Sequence, residues 1–294
     1  MSFSIFVWHQ ILLAFLRYSF VDKITLPIFI AYIVAVLIIA YLSYRYIEPL
    51  KVETLYKKAF CIGIWVLVLV ISFFIYRNAG VVRDVPELGI TTKSPLTNRN
   101  TEYIDKIYDY QNAFSTNKKK VLVVGNSFAR DFACCLLEWD TDNTVELSYM
   151  YSFEQESDLR LGECDFLFCF CLRENVPQYV WSALKHDCEV FGIGTKSYGK
   201  SFGRIYAKRF RDDYYDVAIP IHPKLKQAND LYKASWGEQH YMDFVKASMQ
   251  DDGMIRIFTP DKKIISFDCK HLTPYGCKFY ASQFDFDKII HNKF

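Results

Sequence analysis

Long apolar stretches open the chain, and short apolar runs separated by polar turns fill the rest. Ile24 to Leu42 and Ala59 to Tyr76 run for 19 and 18 positions without a charged residue, each close to the roughly 20 residues needed to cross a bilayer core. Phe3 to Phe20 is similar but is interrupted by His9, Gln10 and Arg17. It lacks the basic start and the small-residue cleavage site of a signal peptide. Two to three transmembrane helices are therefore expected. Polar side chains in lipid are costly, so His9 and Gln10 are expected to face protein or water. Arg45, Lys51, Lys57 and Lys58 outnumber Arg17 and Lys23 in the two connecting loops. The positive-inside rule then places the loop 43–58 in the cytoplasm and everything after Tyr76 outside it.

After the apolar front the pattern changes twice. Residues 77–117 are polar and carry Gly80, Pro86, Gly89 and Pro95, the composition of an extended linker. Within it Tyr103, Ile104, Ile107 and Tyr108 recur at helical spacing, with Asn100 or Thr101 as the cap. From residue 118 onward, apolar β-branched runs alternate with helical patterns. Val121 to Val124, Val145 to Tyr151, Asp165 to Leu172 and Glu189 to Gly194 read as strands; Phe128 to Trp139 and Pro177 to Lys185 read as helices. That alternation predicts an α/β domain over 118–294, a parallel sheet flanked by helices, with its site at the C-terminal ends of the strands.

Composition agrees with this division of 1–76, 77–117 and 118–294. The 294 residues are 51% hydrophobic and 17% aromatic, too apolar for an ordinary soluble domain and too polar for a membrane bundle. A net charge of +2 excludes a global basic surface for nucleic acid, and Lys118 to Lys120 read as a solvated face.

Ser127 is the first candidate for chemistry. It follows the strand 121–124 and the turn Gly125-Asn126, and it opens a helix whose first N–H groups lack intrahelical partners. A hydroxyl there is either a nucleophile beside an oxyanion site or simply the helix cap. Asp268 and His271 lie three apart ahead of a Pro-Gly turn, so Asp268 can orient His271 and His271 can take the Ser127 proton. The nine cysteines form no zinc pattern: Cys164, Cys169 and Cys171 lack paired Cys-x₂-Cys spacing, and the last two alternate within an apolar strand, as core residues do. No metal site is expected. Cys269 and Cys277 are a candidate disulfide across the active-site loop if the domain faces an oxidising space. His186, His222, His240 and His291 suggest no spaced ligand set.

Gly125-Asn126-Ser127-Phe128 after a strand, together with Asp268-x-x-His271-Leu272-Thr273, resembles the SGNH (GDSL-like) hydrolase family, although Asn126 stands where that family usually has Asp. The resemblance implies an SGNH-type sheet, a catalytic triad of Ser127, Asp268 and His271, and oxyanion donors from two further loops. Asn175 and the backbone N–H of Gly199 are the candidates for those donors, and Lys196 for contact with an anionic glycan. A plain turn explains the loop Gly194 to Lys200 equally well. An α/β-hydrolase reading fits less well, because its Gly-x-Ser-x-Gly motif ends here in Ala129.

The segments SIFVWHQILLAF (Ser4 to Phe15) and SYRYIEPL (Ser43 to Leu50) resemble the last helices of the acyltransferase-3 family of membrane proteins. That resemblance implies a bacterial inner-membrane protein with an extracytoplasmic SGNH domain and acyl-CoA as donor. No cofactor is expected to be bound in this chain. The donor-handling helices that precede these segments in the family lie outside it, so the chain is expected to be a truncated form needing those helices in trans. The function implied is O-acyl transfer, O-acetyl above all, to a cell-surface polysaccharide or lipopolysaccharide. An acyl-ester hydrolase and a non-catalytic remnant binding glycan or a partner remain as alternatives.

Overall fold

The computed structural model describes residues 1–18, 24–48, 54–77, 84–90, 99–153, 158–199, 205–206 and 208–291. Lys23, Lys51, Gly80, Pro95 and Lys200 of the sequence reading lie outside these. The chain forms two compact units: one of residues 1–83, 92–96 and 201–214, the other of residues 84–91, 97–200 and 215–294.

The first unit holds helices α1 (Ser2–Tyr18), α2 (Leu26–Leu42) and α3 (Leu55–Arg77). Pro27 stands in the first turn of α2, where its missing N–H costs nothing, and a π-helical turn, Ser43–Ile47, extends the helix. Two stretches, Leu26–Ile47 and Leu55–Ile75, are long and apolar enough to cross a membrane; α1 is shorter. Their large side chains are uncovered: Phe29, Ile30, Leu37 and Ile38 on α2, and Phe60, Trp65, Leu69 and Phe73 on α3, are all exposed. Core helices of a water-soluble protein would bury such residues, and surface this apolar on every side calls for an apolar surround. The Tyr32 hydroxyl donates to the carbonyl of His9 at 3.0 Å and ties α2 to α1, while the Ser4 hydroxyl donates to Glu48. His9 is half-buried against its own helix, with Nδ1 3.1 Å from the Ile5 carbonyl, whereas Gln10, expected to be sheltered, is exposed.

The second unit is a mixed α/β structure around a five-stranded parallel sheet. Strands β1 (Lys119–Val124), β2 (Val145–Met150), β3 (Phe166–Cys169) and β4 (Glu189–Ile193) match the apolar runs of the sequence, and β6 (Tyr241–Met242) adds the fifth. Their order is β2-β1-β3-β4-β6. Strand β1 is paired on both edges, Val121 standing opposite Leu147 of β2 and Phe166 of β3. Helices cover the sheet, so Val121 to Val124 are buried on both faces and read as a continuous apolar run rather than an alternation. A separate antiparallel ribbon pairs β5 (Ala218–Pro220) with β7 (Met254–Arg256).

Around the sheet lie α4 (Arg99–Asp105), α5 (Ser127–Trp139), α6 (Leu159–Glu163), α7 (Gln178–Ala183), α8 (Pro223–Trp236), α9 (Phe244–Ser248) and α10 (Pro274–Gln283). Helix α5 packs along α10. Helix α4 begins before the expected caps Asn100 and Thr101 and runs into a 3₁₀ turn, Lys106–Tyr110. Ile104 and Ile107 are buried, and the Tyr103 hydroxyl donates to Glu138 of α5 at 2.7 Å. Residues 84–90 also belong to this unit: the Ile264 N–H donates to the Glu87 carbonyl at 2.9 Å. Much of the polar stretch 77–117 is therefore folded onto the sheet domain.

Candidate active site

Four apolar residues, Val121 to Val124, close β1, and the chain must then turn sharply to start α5. Gly125 makes that turn at φ +140, and a Cβ there would lie 2.8 Å from Cβ of Phe170 and 3.0 Å from Cβ of Ala129. The Tyr149 hydroxyl donates to the Gly125 carbonyl at 2.7 Å and holds the turn from β2. Asn126 is the N-cap, its side-chain oxygen accepting the Phe128 N–H at 3.0 Å. Capping thus falls to Asn126, and Ser127, the first residue inside the helix, keeps its hydroxyl for another partner.

That partner is His271, whose Nε2 lies 2.9 Å from Ser127 Oγ. On the other side of the ring, Nδ1 lies 2.5 Å from Asp268 Oδ2. Asp268 Oδ1 accepts the N–H groups of Lys270 and His271 at 2.9 and 2.7 Å, closing a tight Asx-type turn. Inside it Cys269 adopts φ +71, a left-handed conformation uncommon for a residue with a Cβ. Burial pushes the Asp268 carboxyl up, but the His271 N–H, the His271 ring and the Lys270 N–H outweigh it and hold the carboxyl below its ordinary value. An ionised Asp268 only accepts hydrogen bonds, so Nδ1 carries the proton towards it and Nε2 is left to accept the Ser127 hydroxyl proton.

The loop is held from below by Thr273, whose hydroxyl caps α10 by accepting the Gly276 N–H at 3.0 Å, with Pro274 in the first turn. Aromatic rings flank the imidazole: Phe267 stacks on it at 6.1 Å between centroids, and Phe128 meets it edge-on at 6.4 Å. Phe128 in turn stacks on Phe170, and Phe170 on Tyr232. The side chains of His271 and Asp268 remain 25% and 37% exposed, so a substrate reaches the ring from solvent.

The structure thus brings Ser127, Asp268 and His271 into one hydrogen-bonded row. The other two candidates, Asn175 and Gly199, have local contacts of their own. Asn175 is exposed at the end of a 3₁₀ turn, Arg173–Asn175, and its N–H donates to the Leu172 carbonyl at 2.9 Å. Gly199 lies against Ile219 of β5 at φ +105. Among the described residues, no hydrogen bond joins either to a side chain of the row.

Two readings require correction. Lys196 is not a surface cation awaiting an anionic glycan: it is 3% exposed, with Nζ 3.0 Å from Asp131 Oδ2 and 4.0 Å from the centre of the Phe128 ring. A lysine this deep needs an opposite charge, and α5 supplies one. Cys277 does not pair with Cys269. It lies on the side of α10 that packs against α5, with Sγ 4.0 Å from the Asp131 carbonyl and its thiol beside those of Cys134 and Cys135. Among the described residues, Cys134, Cys135 and Cys277 are free thiols. Burial raises the Cys277 thiol well above its ordinary value, so it is a core residue and not a reactive one. Cys164 and Cys169 likewise belong to the apolar core beside β3.

Sequence reasoning missed Asp131, which is fully buried and accepts the Leu272 N–H at 3.0 Å through Oδ2. The available signal was an acidic residue amid the apolar run Phe128 to Leu137, one helical turn after Ser127. The aromatic neighbours Phe170, Tyr232 and Phe267 had no such signal, since they come together only through the fold.

No family model matches the chain, and no curated protein matches it. Among solved structures it is similar to the periplasmic domain of the lipopolysaccharide acetyltransferase of Salmonella ser. Paratyphi A, with a TM-score of 0.45 and 14% identity, over 66% of this chain and 98% of that chain.

Proposed function

We propose that the chain is a membrane-anchored serine acyltransferase of SGNH type that O-acylates a cell-surface glycan. The reading is supported above all by the row Ser127–His271–Asp268, with 2.9 Å from hydroxyl to imidazole and 2.5 Å from imidazole to carboxylate. In the proposed reaction, Ser127 Oγ attacks an acyl carbonyl while its proton passes to His271 Nε2, and Asp268 steadies the imidazolium. The Ser127 N–H, at the start of α5 and without an intrahelical acceptor, faces the charge developing on the carbonyl oxygen. His271 then returns the proton to the leaving group, and the acyl group stays on Ser127. In the second half, His271 Nε2 takes the proton of an acceptor hydroxyl as that oxygen attacks the acyl carbon, and returns it to Ser127 Oγ as the acyl–Oγ bond breaks.

A sugar hydroxyl as acceptor gives O-acylation, acetyl above all; water gives ester hydrolysis, and the solvent exposure of His271 favours measurable hydrolysis when no sugar is present. The two long apolar helices are the proposed anchor, with the sheet unit on the extracytoplasmic side of a bacterial inner membrane. The acyl donor in this proposal is an acyl-CoA, handled by acyltransferase-3-type helices.

The test is turnover of a small acetyl ester by the full chain in detergent, with and without a polysaccharide acceptor. Ser127→Ala is expected to abolish hydrolysis and transfer alike. Equal turnover by the unaltered chain and Ser127→Ala would sink the proposal.

A further inference from the structure

Asp131 and Lys196 form the most deeply buried ion pair among the described residues. Stability does not account for it. Withdrawing two charges from water costs about as much as their attraction returns, and apolar residues of similar volume would serve the core as well or better.

Their neighbours suggest another role. Asp131 stands one helical turn after Ser127, on the same face of α5. Its Oδ2 accepts the N–H of Leu272, the residue that follows His271, at 3.0 Å. Lys196 comes from the segment after β4, and its ammonium lies 3.0 Å from that same oxygen and 4.0 Å from the centre of the ring of Phe128, the residue that follows Ser127. Two residues beyond Lys196, the Tyr198 N–H donates at 2.9 Å to the carbonyl of Cys269, between Asp268 and His271. One carboxylate oxygen therefore joins the helix that carries the hydroxyl, the loop that carries the imidazole, and the segment that clasps both.

We propose that Asp131 and Lys196 are positioning residues that set the register between Ser127 and His271. Asp131 holds the His271–Leu272 peptide to α5, and Lys196 holds the Asp131 carboxylate in place while resting its charge on Phe128. A hydrogen bond to an ionised acceptor is stronger than one to a neutral acceptor, and in a low-dielectric interior it resists displacement. The loop at 268–272, which contains the left-handed Cys269, is thereby kept from carrying His271 away from Ser127. The inference rests on the acyl-transfer reading of Ser127 and concerns how that site is held.

The experiment compares three variants of the full chain in detergent with the unaltered protein, by thermal unfolding, ester hydrolysis and crystallography. Asp131→Leu with Lys196→Met removes both charges and the acceptor at similar volume. Asp131→Asn with Lys196→Met removes the charges but leaves an oxygen for the Leu272 N–H. The Leu/Met variant is expected to fold and to lose about 100-fold in kcat with little change in KM, as a misplacement of about 1 Å would produce. His271 Nε2 is expected to have moved out of hydrogen-bond reach of Ser127 Oγ. The Asn/Met variant is expected to recover to within about tenfold of the unaltered kcat. Should the Leu/Met protein not fold, Asp131→Glu, which keeps the pair but lengthens the arm, is expected to lower kcat about tenfold at unchanged KM. A Leu/Met variant with unaltered kcat and an unmoved His271, or an Asp131→Glu variant with unaltered kcat, overturns the inference. If hydrolysis proved independent of Ser127, the acyl-transfer reading would fall, and the position of His271 in the Leu/Met crystal would still decide this one.

Discussion

The side-chain oxygen of Asn126 accepts the N–H of Phe128 at 3.0 Å. A cap of this kind satisfies one of the orphan donors of α5, and its loss costs about 1 kcal/mol. Asn126→Ala is therefore expected to lower stability by about that amount, measured by chemical denaturation. Asn126→Asp keeps the acceptor and adds a negative charge at a helix N-terminus, so it is expected to match or exceed the unaltered protein. An Asn126→Ala variant of undiminished stability would show that the cap is dispensable.

In the proposed reaction Ser127, His271 and Asp268 act in series, so their losses should not add. Ser127→Ala and His271→Ala are each expected to reduce ester turnover to background, and the double variant to be no worse than either. Asp268→Asn preserves shape but presents a donor where Nδ1–H needs an acceptor, and a loss of about 10³-fold or more is expected. Additive losses in the double variant would mean that the two side chains do not share one proton path.

Glu146 at β2 gathers the N–H and hydroxyl groups of both Ser115 and Thr116, the shortest contact being 2.6 Å. Burial pushes the carboxyl up, but the Thr116 hydroxyl and the other donors together outweigh it and pull it from 4.5 to about 2. A folded-state value below the unfolded one means that the contribution to stability is fully present above pH 4.5 and is lost as the pH falls towards about 2. Solvent screening at this half-buried group keeps the contribution small. Glu146→Gln is expected to flatten the stability profile across that window and leave it unchanged near neutrality. An unaltered acid limb in Glu146→Gln would rule this out.

Gly125 is a position in the site where a methyl group has no room. Gly125→Ala places a Cβ 2.8 Å from Phe170 and 3.0 Å from Ala129 at φ +140, and a destabilisation of about 1–3 kcal/mol is expected from the backbone conformation alone. Because the turn sets the start of α5, ester turnover should fall further than stability does. Wild-type turnover in Gly125→Ala would mean that the site tolerates a displaced Ser127.

Strands β1 to β4 were legible because each is a run of four to six mainly apolar residues bounded by polar turns. β6 has two residues and the β5–β7 ribbon three in each strand, too short for any periodicity to register. The hydrogen-bonded row of Ser127, Asp268 and His271 was legible because its residue types and local spacing are those such a row needs. Lys196 was misread because a lysine between Gly194 and Gly199 looks like a loop cation, and only the fold reveals that Asp131, 65 positions earlier in the chain, is its counter-charge. The pairing proposed for Cys269 failed for the same reason: proximity along the chain outweighed the packing of α10 on α5, which draws Cys277 towards Cys134 and Cys135.

The bond between His271 and Ser127 spans 144 positions of chain, and its two ends belong to segments of very different anchorage. Ser127 is rooted in a central strand paired on both sides, whereas His271 sits on a partly exposed loop held by a few hydrogen bonds. Fluctuations that open the loop and α10 need not disturb β1, since segments of a domain open with separate free energies. The ester turnover proposed for this site should then vanish at a lower denaturant concentration than the helical signal of the sheet unit. Turnover is in that sense a local thermometer, reporting the docking of one loop while the rest of the sheet is still intact.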